Sequence, residues 1–77
     1  MVTPRQVRAA RVLLQWDQIM LADKSVVALS AVQRLEQGKP VREATAHAVE
    51  QALKKAGIGF ISAHGEEGVV LRRRGRR

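Results

Sequence analysis

Through the first 57 residues, apolar side chains recur every three to four positions, the spacing that places them on one face of an α-helix. Helix-starting and helix-ending residues divide this pattern into four segments. The first predicted helix runs from Pro4 to Leu14. Thr3 suits its N-cap, Pro4 suits its first position, and Gln6 completes a capping-box spacing with Thr3.

Three further helices follow from the same spacing. The second runs from its N-cap, Asp17, to Lys24. The third runs from Ala28 to Gln37, and the fourth runs from Arg42 to Ala56. Gly38 and Gly57 stop the last two, because glycine adopts the left-handed conformation that commonly follows a helix at little cost.

The pattern changes after Gly57. Residues 58–61 and 69–71 are strand-like, and His64–Gly68 has the composition of a turn. A β-hairpin is predicted, or two short strands that a partner chain completes. Two unpaired extended segments are the alternative, because an isolated hairpin is only marginally stable.

Composition narrows the class of protein. The chain has 77 residues, which predicts one small domain, and 11 of its apolar residues are alanine. A monomer of this size is marginal, so a dimer is expected. The absence of cysteine excludes disulfides, a thiolate nucleophile and a cysteine-based zinc site. The polar N-terminus is unlike a signal peptide, and no apolar run approaches the roughly 18 residues of a membrane span, so a cytoplasmic protein is expected.

The net charge of +7 is concentrated at the C-terminus. Five of the 14 basic residues lie in the last six positions, and residues 1–71 carry nine basic and seven acidic side chains, a net charge of +2. The charge favours a polyanionic partner without identifying it. Two interpretations of the tail stay open: it enters a minor groove or follows a DNA backbone, or it is a solvated end.

No arrangement of residues predicts catalysis, so the chain is not expected to be an enzyme or to bind a cofactor or metal. His47 and His64 lie far apart and have no metal-ligand spacing with the acidic residues. Trp16, between two predicted helices, is expected in the core. The first helix carries an arginine at every third position: Arg5, Arg8 and Arg11. These arginines either line a DNA backbone or form a solvated face.

The segments Trp16–Ala22 and Leu29–Lys39 resemble the lambda-repressor-like (Cro/C1, XRE) helix-turn-helix family. The matching positions are Gln18, Leu21, Ala22, Val32, Leu35, Glu36 and Gly38. Residues 3–73 resemble a subgroup of short bacterial single-domain regulators. The resemblance implies a mainly α, four- to five-helix lambda-repressor-like domain with a short C-terminal β-hairpin.

The same resemblance implies a DNA-binding surface. The third helix would lie in the major groove. Its expected base contacts are Leu29, Ser30, Gln33 and Arg34. Arginine can bind guanine through two hydrogen bonds and glutamine can bind adenine in the same way. The expected phosphate contacts are Gln18, Lys39 and Arg42. Glu36 is expected to hold an internal hydrogen bond or ion pair.

Three residues depart from the family pattern. Val26 replaces a turn glycine, Ala28 replaces a Ser/Thr N-cap, and Gln33 replaces a common arginine. A β-branched residue is costly at positive φ, so we expect the turn to change shape or the second helix to extend. A domain altered in this way also fits an alternative, a protein-interaction module such as an antiactivator or antitoxin.

The sequence and the resemblance together predict a dimeric regulator on double-stranded DNA with a palindromic operator. Repression, including autorepression, is its simplest mode of action, and activation through contact with polymerase is the alternative. Residues 1–57 are the expected helix-turn-helix domain. Residues 58–73 are the expected hairpin and the first candidate for homodimerisation, with the fourth helix second. Residues 74–77 are an expected disordered basic tail.

Overall fold

The computed structural model describes residues 2–72, which form four α-helices followed by an antiparallel hairpin. The elements are α1 (Pro4–Leu13), α2 (Gln18–Ser25), α3 (Leu29–Glu36), α4 (Glu43–Lys55), β1 (Ile58–Ala63) and β2 (Glu66–Leu71). The small, mainly helical architecture with a C-terminal hairpin agrees with the prediction. Arg73 and the predicted tail at 74–77 lie outside the described residues.

Local capping signals account for the starts of α1 and α2. The Thr3 hydroxyl accepts a hydrogen bond from the Gln6 backbone N–H at 3.1 Å, and the Gln6 side-chain oxygen accepts from the Thr3 N–H at 3.0 Å, which confirms the capping box. Asp17 accepts from the Met20 N–H at 2.8 Å and is the N-cap of α2. Each observed helix therefore begins and ends within one residue of its predicted limits.

The α2–α3 turn contradicts one expectation. Val26 itself takes the left-handed conformation, with φ 57° and ψ 48°, so the turn keeps the shape that glycine would give it. Two hydrogen bonds fix this shape, from the Val27 N–H to the Ala22 carbonyl at 3.1 Å and from the Val26 N–H to the Asp23 carbonyl at 3.2 Å. They satisfy the last carbonyls of α2, and they hold valine where its backbone is strained by about 1–2 kcal/mol.

Ala28, as predicted, caps α3 without a side-chain hydrogen bond. α3 ends at Glu36, and Gly38 follows with a φ of 78°. Two hydrogen bonds close this end: the Lys39 N–H donates to the Arg34 carbonyl at 2.9 Å, and the Gly38 N–H donates to the Leu35 carbonyl at 3.1 Å. This is a Schellman ending, which confirms the predicted glycine stop.

The core lies where the four helices and β1 meet. Its buried apolar residues are Val7, Ala10, Leu21, Ala22, Val32, Val49, Leu53 and Ile58. Trp16 is half-buried and packs against this cluster, with Lys24 Nζ 5.9 Å from its ring centroid. The indole therefore belongs to the packed interior, as the sequence predicted. No helix in residues 2–72 has the length and apolar character to cross a membrane.

The hairpin differs from its prediction in the turn. Only His64 and Gly65 form it, both at positive φ (54° and 76°), as the commonest two-residue hairpin turn requires. Residues 66–68, predicted as turn, belong to β2, with Glu66 opposite Ala63 and Gly68 opposite Ile61. The strands pair within one chain, so the unpaired alternative is wrong.

Two polar contacts fasten the hairpin to α1. Buried Gln6 donates from Nε2 to the Ile61 carbonyl at 2.8 Å and to the Gly68 carbonyl at 2.9 Å, one on each strand. Glu67 accepts from Arg5 Nε at 3.1 Å and from Thr3 Oγ1 at 2.9 Å. The hydrogen bond from Arg5, with that from Thr3, lowers the pKa of the Glu67 carboxyl.

We expect Gln6→Ala to lower the free energy of unfolding by about 2–3 kcal/mol, because two strand carbonyls lose their side-chain donor and the capping box is lost. Amide hydrogen exchange in residues 58–71 should become faster. Arg5→Ala is the matched control, since its exposed ion pair at the same joint contributes little to stability. Equal losses in urea denaturation for the two variants would contradict this assignment.

Candidate nucleic-acid interface

The outward side of α3 is exposed. Val32 and Glu36 turn inward and are buried. The four residues predicted to contact bases are all exposed: Leu29, Ser30, Gln33 and Arg34. The structure therefore brings the predicted base-contact residues to one accessible surface.

Arg34 is held in place by the loop that follows α3. Its Nε and Nη2 donate to the Pro40 carbonyl at 3.1 and 2.9 Å. A guanidinium carries five N–H groups in a planar fork, so these two bonds use one edge and leave the Nη1–Nη2 edge for another acceptor. Sequence reasoning did not find this contact, because any backbone carbonyl accepts in the same way.

An open groove runs beside α3 toward the start of α4. Val26, Val27 and Val41 contribute apolar surface, and Arg34 and Arg42 are the charged residues in its lining. None of the described residues that line it is acidic. Such a groove favours an occupant that combines negative charge with small apolar groups.

The predicted phosphate contacts divide into two groups. Lys39 and Arg42 are exposed and lie on the connection between α3 and α4, next to the groove. Gln18 is half-buried instead, and its Nε2 donates to Glu36 Oε1 at 3.1 Å. The amide nitrogen of Gln18 carries a second hydrogen that is available to a phosphate oxygen. The phosphate contact of Gln18 stays a prediction.

Behind α3 lies a set of polar residues that we call the Glu36 cluster: Arg8, Arg11, Gln18 and Glu36. Arg11 donates from Nε to Glu36 Oε2 at 2.8 Å and from Nη2 to Oε1 at 3.1 Å, a two-point ion pair. Only 3% of the Glu36 side chain and 17% of the Arg11 side chain are exposed. Glu36 therefore has the internal partner that was expected.

Two further bonds tie the cluster to the backbone. Arg8 Nη1 donates to the Glu36 carbonyl at 2.7 Å, at the C-terminal end of α3, where a positive charge also suits the helix dipole. Arg11 Nη1 donates to the Trp16 carbonyl at 3.1 Å, in the connection before α2. The cluster thus joins α1, α2 and α3, and it sets the orientation of α3 from behind.

The arginines of α1 do not form one basic face. Arg11 points inward to Glu36, Arg8 reaches the end of α3, and Arg5 pairs with Glu67 on the hairpin. Neither interpretation of the series, a DNA-lining row or a solvated face, describes all three. The three-residue spacing gave no sign of this division, because the partners lie 25 or more positions away.

Residues 2–72 contain no group of three His, Cys, Asp or Glu side chains that is arranged to hold a metal ion. His47 and His64 are both exposed and lie on different elements, α4 and the hairpin turn. No protein-family model matches the chain, and no curated protein is similar to it.

We expect Glu36→Ala to lower the free energy of unfolding by about 3 kcal/mol or more, because it leaves the Arg11 guanidinium largely buried without its counter-charge. Glu50→Ala is the matched control. It removes a partly exposed carboxylate that pairs with Lys54 at 2.9 Å within α4, and it should change stability by about 0.5 kcal/mol or less. Similar urea midpoints for the two variants would show that the Glu36 cluster does not hold α3.

Proposed function

We propose that the chain is a sequence-specific regulator of transcription that binds double-stranded DNA, with the lambda-repressor-like helix-turn-helix as its DNA-binding unit. The observation that carries this proposal is the exposed outward side of α3, which lies beside a groove that has two arginines and no carboxylate among its described lining residues. A surface of this kind suits a ligand with regularly spaced negative charges.

The dimensions of α3 support insertion into the major groove. With its side chains, an α-helix such as α3 is about 10–12 Å across. The major groove of B-DNA is about 12 Å wide and admits an α-helix. α2 packs against α3 through Leu21, Ala22 and Val32, and would cross the DNA backbone.

The exposed side chains of α3 supply base-reading chemistry. The free edge of the Arg34 guanidinium can donate to guanine O6 and N7, and Gln33 can pair with adenine N6 and N7. Leu29 offers apolar contact to a thymine methyl group, and Ser30 accepts or donates according to its neighbour. The Pro40 carbonyl fixes the guanidinium before binding, so less side-chain entropy is lost when DNA is engaged.

Phosphate contacts would come from residues on either side of α3. Lys39 and Arg42 lie just after it, and Gln18 lies at the start of α2. These contacts would set the register of the domain on DNA without reading sequence. Their energetic signature is a strong dependence of affinity on salt.

A two-fold dimer on a palindromic operator completes the proposal, because one domain of this size reads few base pairs. The hairpin is the first candidate for the dimer contact: both of its strands are edges in the described sheet, and Ile61 and Val70 are exposed on them. α4 is the second. The proposed regulator acts in the cytoplasm, as a repressor or autorepressor that occludes polymerase.

A protein-interaction module, such as an antiactivator or antitoxin, is the second candidate. The observation in its favour is the exposure of Val12, Ile19 and Met20 on α1 and α2, since exposed apolar side chains of neighbouring helices suit a protein partner. Such a module would not distinguish one DNA sequence from another.

The decisive experiment is selection of an operator from random duplex DNA, followed by affinity measurement against a scrambled duplex at several salt concentrations. The logarithm of the binding constant should fall linearly with the logarithm of salt, with a slope set by several phosphates. Equal affinity for both duplexes at every salt concentration would remove the claim of sequence specificity and favour the interaction module.

Arg34→Ala should relax base preference at one position per half-site, by about 5- to 150-fold, which corresponds to about 1–3 kcal/mol. Arg42→Ala should instead weaken binding to all sequences and reduce the salt slope by about one for each protomer bound. Lys54→Ala is the control, since it removes one positive charge far along α4 and should alter neither property. An unchanged base preference in Arg34→Ala would show that α3 does not read DNA in this register.

A further inference from the structure

The α2–α3 turn has three unfavourable features within four residues. Val26 is a β-branched residue in the left-handed conformation. Ala28 caps α3 without a side-chain hydrogen bond, and the Ser25 hydroxyl is buried without a partner in the described chain. Glycine at position 26 and serine at position 28 would each remove one of these costs. A turn where several local choices oppose stability is typical of a functional site.

Packing within the chain does not compensate for the strain at Val26. Its side chain is 90% exposed, the largest exposed fraction among the large apolar residues described. The isopropyl group therefore gains almost nothing from burial in the folded monomer. The strain at Val26 is therefore not offset within the described chain, and burial of the side chain against another molecule would offset it.

The surroundings of Val26 indicate the chemistry of that molecule. The side chain lines the same groove as Ser30, Arg34 and Arg42. An occupant that suits this groove places a small apolar group at the valine end, and hydrogen-bond acceptors or negative charge near the two arginines. The major-groove edge of a thymine offers this combination, because its C5 methyl group projects into the groove and phosphates flank it.

We propose that Val26 contacts a thymine methyl group in the bound DNA and is a specificity-determining residue of the interface. This inference rests on the proposed function, since it needs α3 in the major groove. It adds a residue outside the recognition helix to the set that reads sequence. It also explains why valine stands at a position whose backbone conformation favours glycine.

Val26→Gly and Val26→Asn test the proposal, because both replacements tolerate the left-handed conformation. Both variants should melt several degrees above the wild type, which also shows that they are folded. Both should bind the selected operator about fourfold more weakly or worse, the factor expected for loss of one buried methyl group. A purely structural role predicts the opposite, that more stable variants bind at least as well.

Replacing operator thymines by uracil, one at a time, identifies the contact. At one position per half-site the wild type should lose about fourfold in affinity, and Val26→Gly should lose nothing further. Val12→Ala is the matched control. It shortens another exposed valine, 64% exposed on α1 and outside the groove, and should leave operator affinity and uracil sensitivity unchanged.

Each failure has a distinct signature. Wild-type protein that does not prefer its selected operator overturns the proposed function and this inference together. Preserved operator preference with unchanged affinity in both Val26 variants overturns this inference alone. Variants that bind DNA normally but lose repression in cells would assign Val26 to a protein partner, and would also overturn the thymine contact.

Discussion

The ion pair between Arg11 and Glu36 is the interaction on which the rest of the structure depends. An eight-residue helix is unstable on its own, so α3 exists only through its tertiary contacts. Val32 and the partly buried Leu35 supply apolar contacts, but these contacts are non-directional and define only loosely how the helix is rotated. The two-point geometry of Arg11 on Glu36, with Gln18 on the same carboxylate, does define it. Removing two charges from water costs free energy that offsets much of their mutual attraction. The main contribution of the pair is therefore to orient α3.

α1 carries this orientation to the other end of the molecule. One side of α1 holds Glu36 through Arg11, and buried Gln6 holds both strands of the hairpin. A two-stranded hairpin is marginal in water, so this attachment is what gives β1 and β2 a fixed place. The fully buried apolar side chains are few and mostly small, and directional polar contacts therefore carry an unusual share of the specificity of the fold.

Much of this fold follows from local sequence signals, and the exceptions share a physical cause. Thr3, Gln6 and Asp17 act on neighbouring backbone groups, so the helix starts could be predicted closely. The Arg11–Glu36 pair joins residues 25 positions apart, and spacing along the chain carries no trace of it. At Val26 local preference predicted a different turn, yet two hydrogen bonds at the end of α2 prevailed over the cost of left-handed valine. Glutamate also has a low preference for β-strands, so local preference places Glu66 and Glu67 in the turn. In the structure both lie in β2, where Glu67 accepts hydrogen bonds from Thr3 and Arg5.

The outline of the candidate site could be predicted from the sequence. Its details could not, because they depend on where backbone atoms of a loop lie. The exposed positions of α3 follow from helical periodicity once Val32 and Glu36 are taken as buried, whereas the Pro40 contact of Arg34 depends on where a loop carbonyl lies. The two sides of α3 differ in how fully their polar groups are satisfied. On the inner side the Glu36 carboxylate has partners on both oxygens, and on the outer side Arg34 keeps a free edge while Val26 stays uncovered and strained. A monomer optimised only for stability would satisfy both sides. The asymmetry supports the proposal that DNA contacts the side of α3 that faces away from the core.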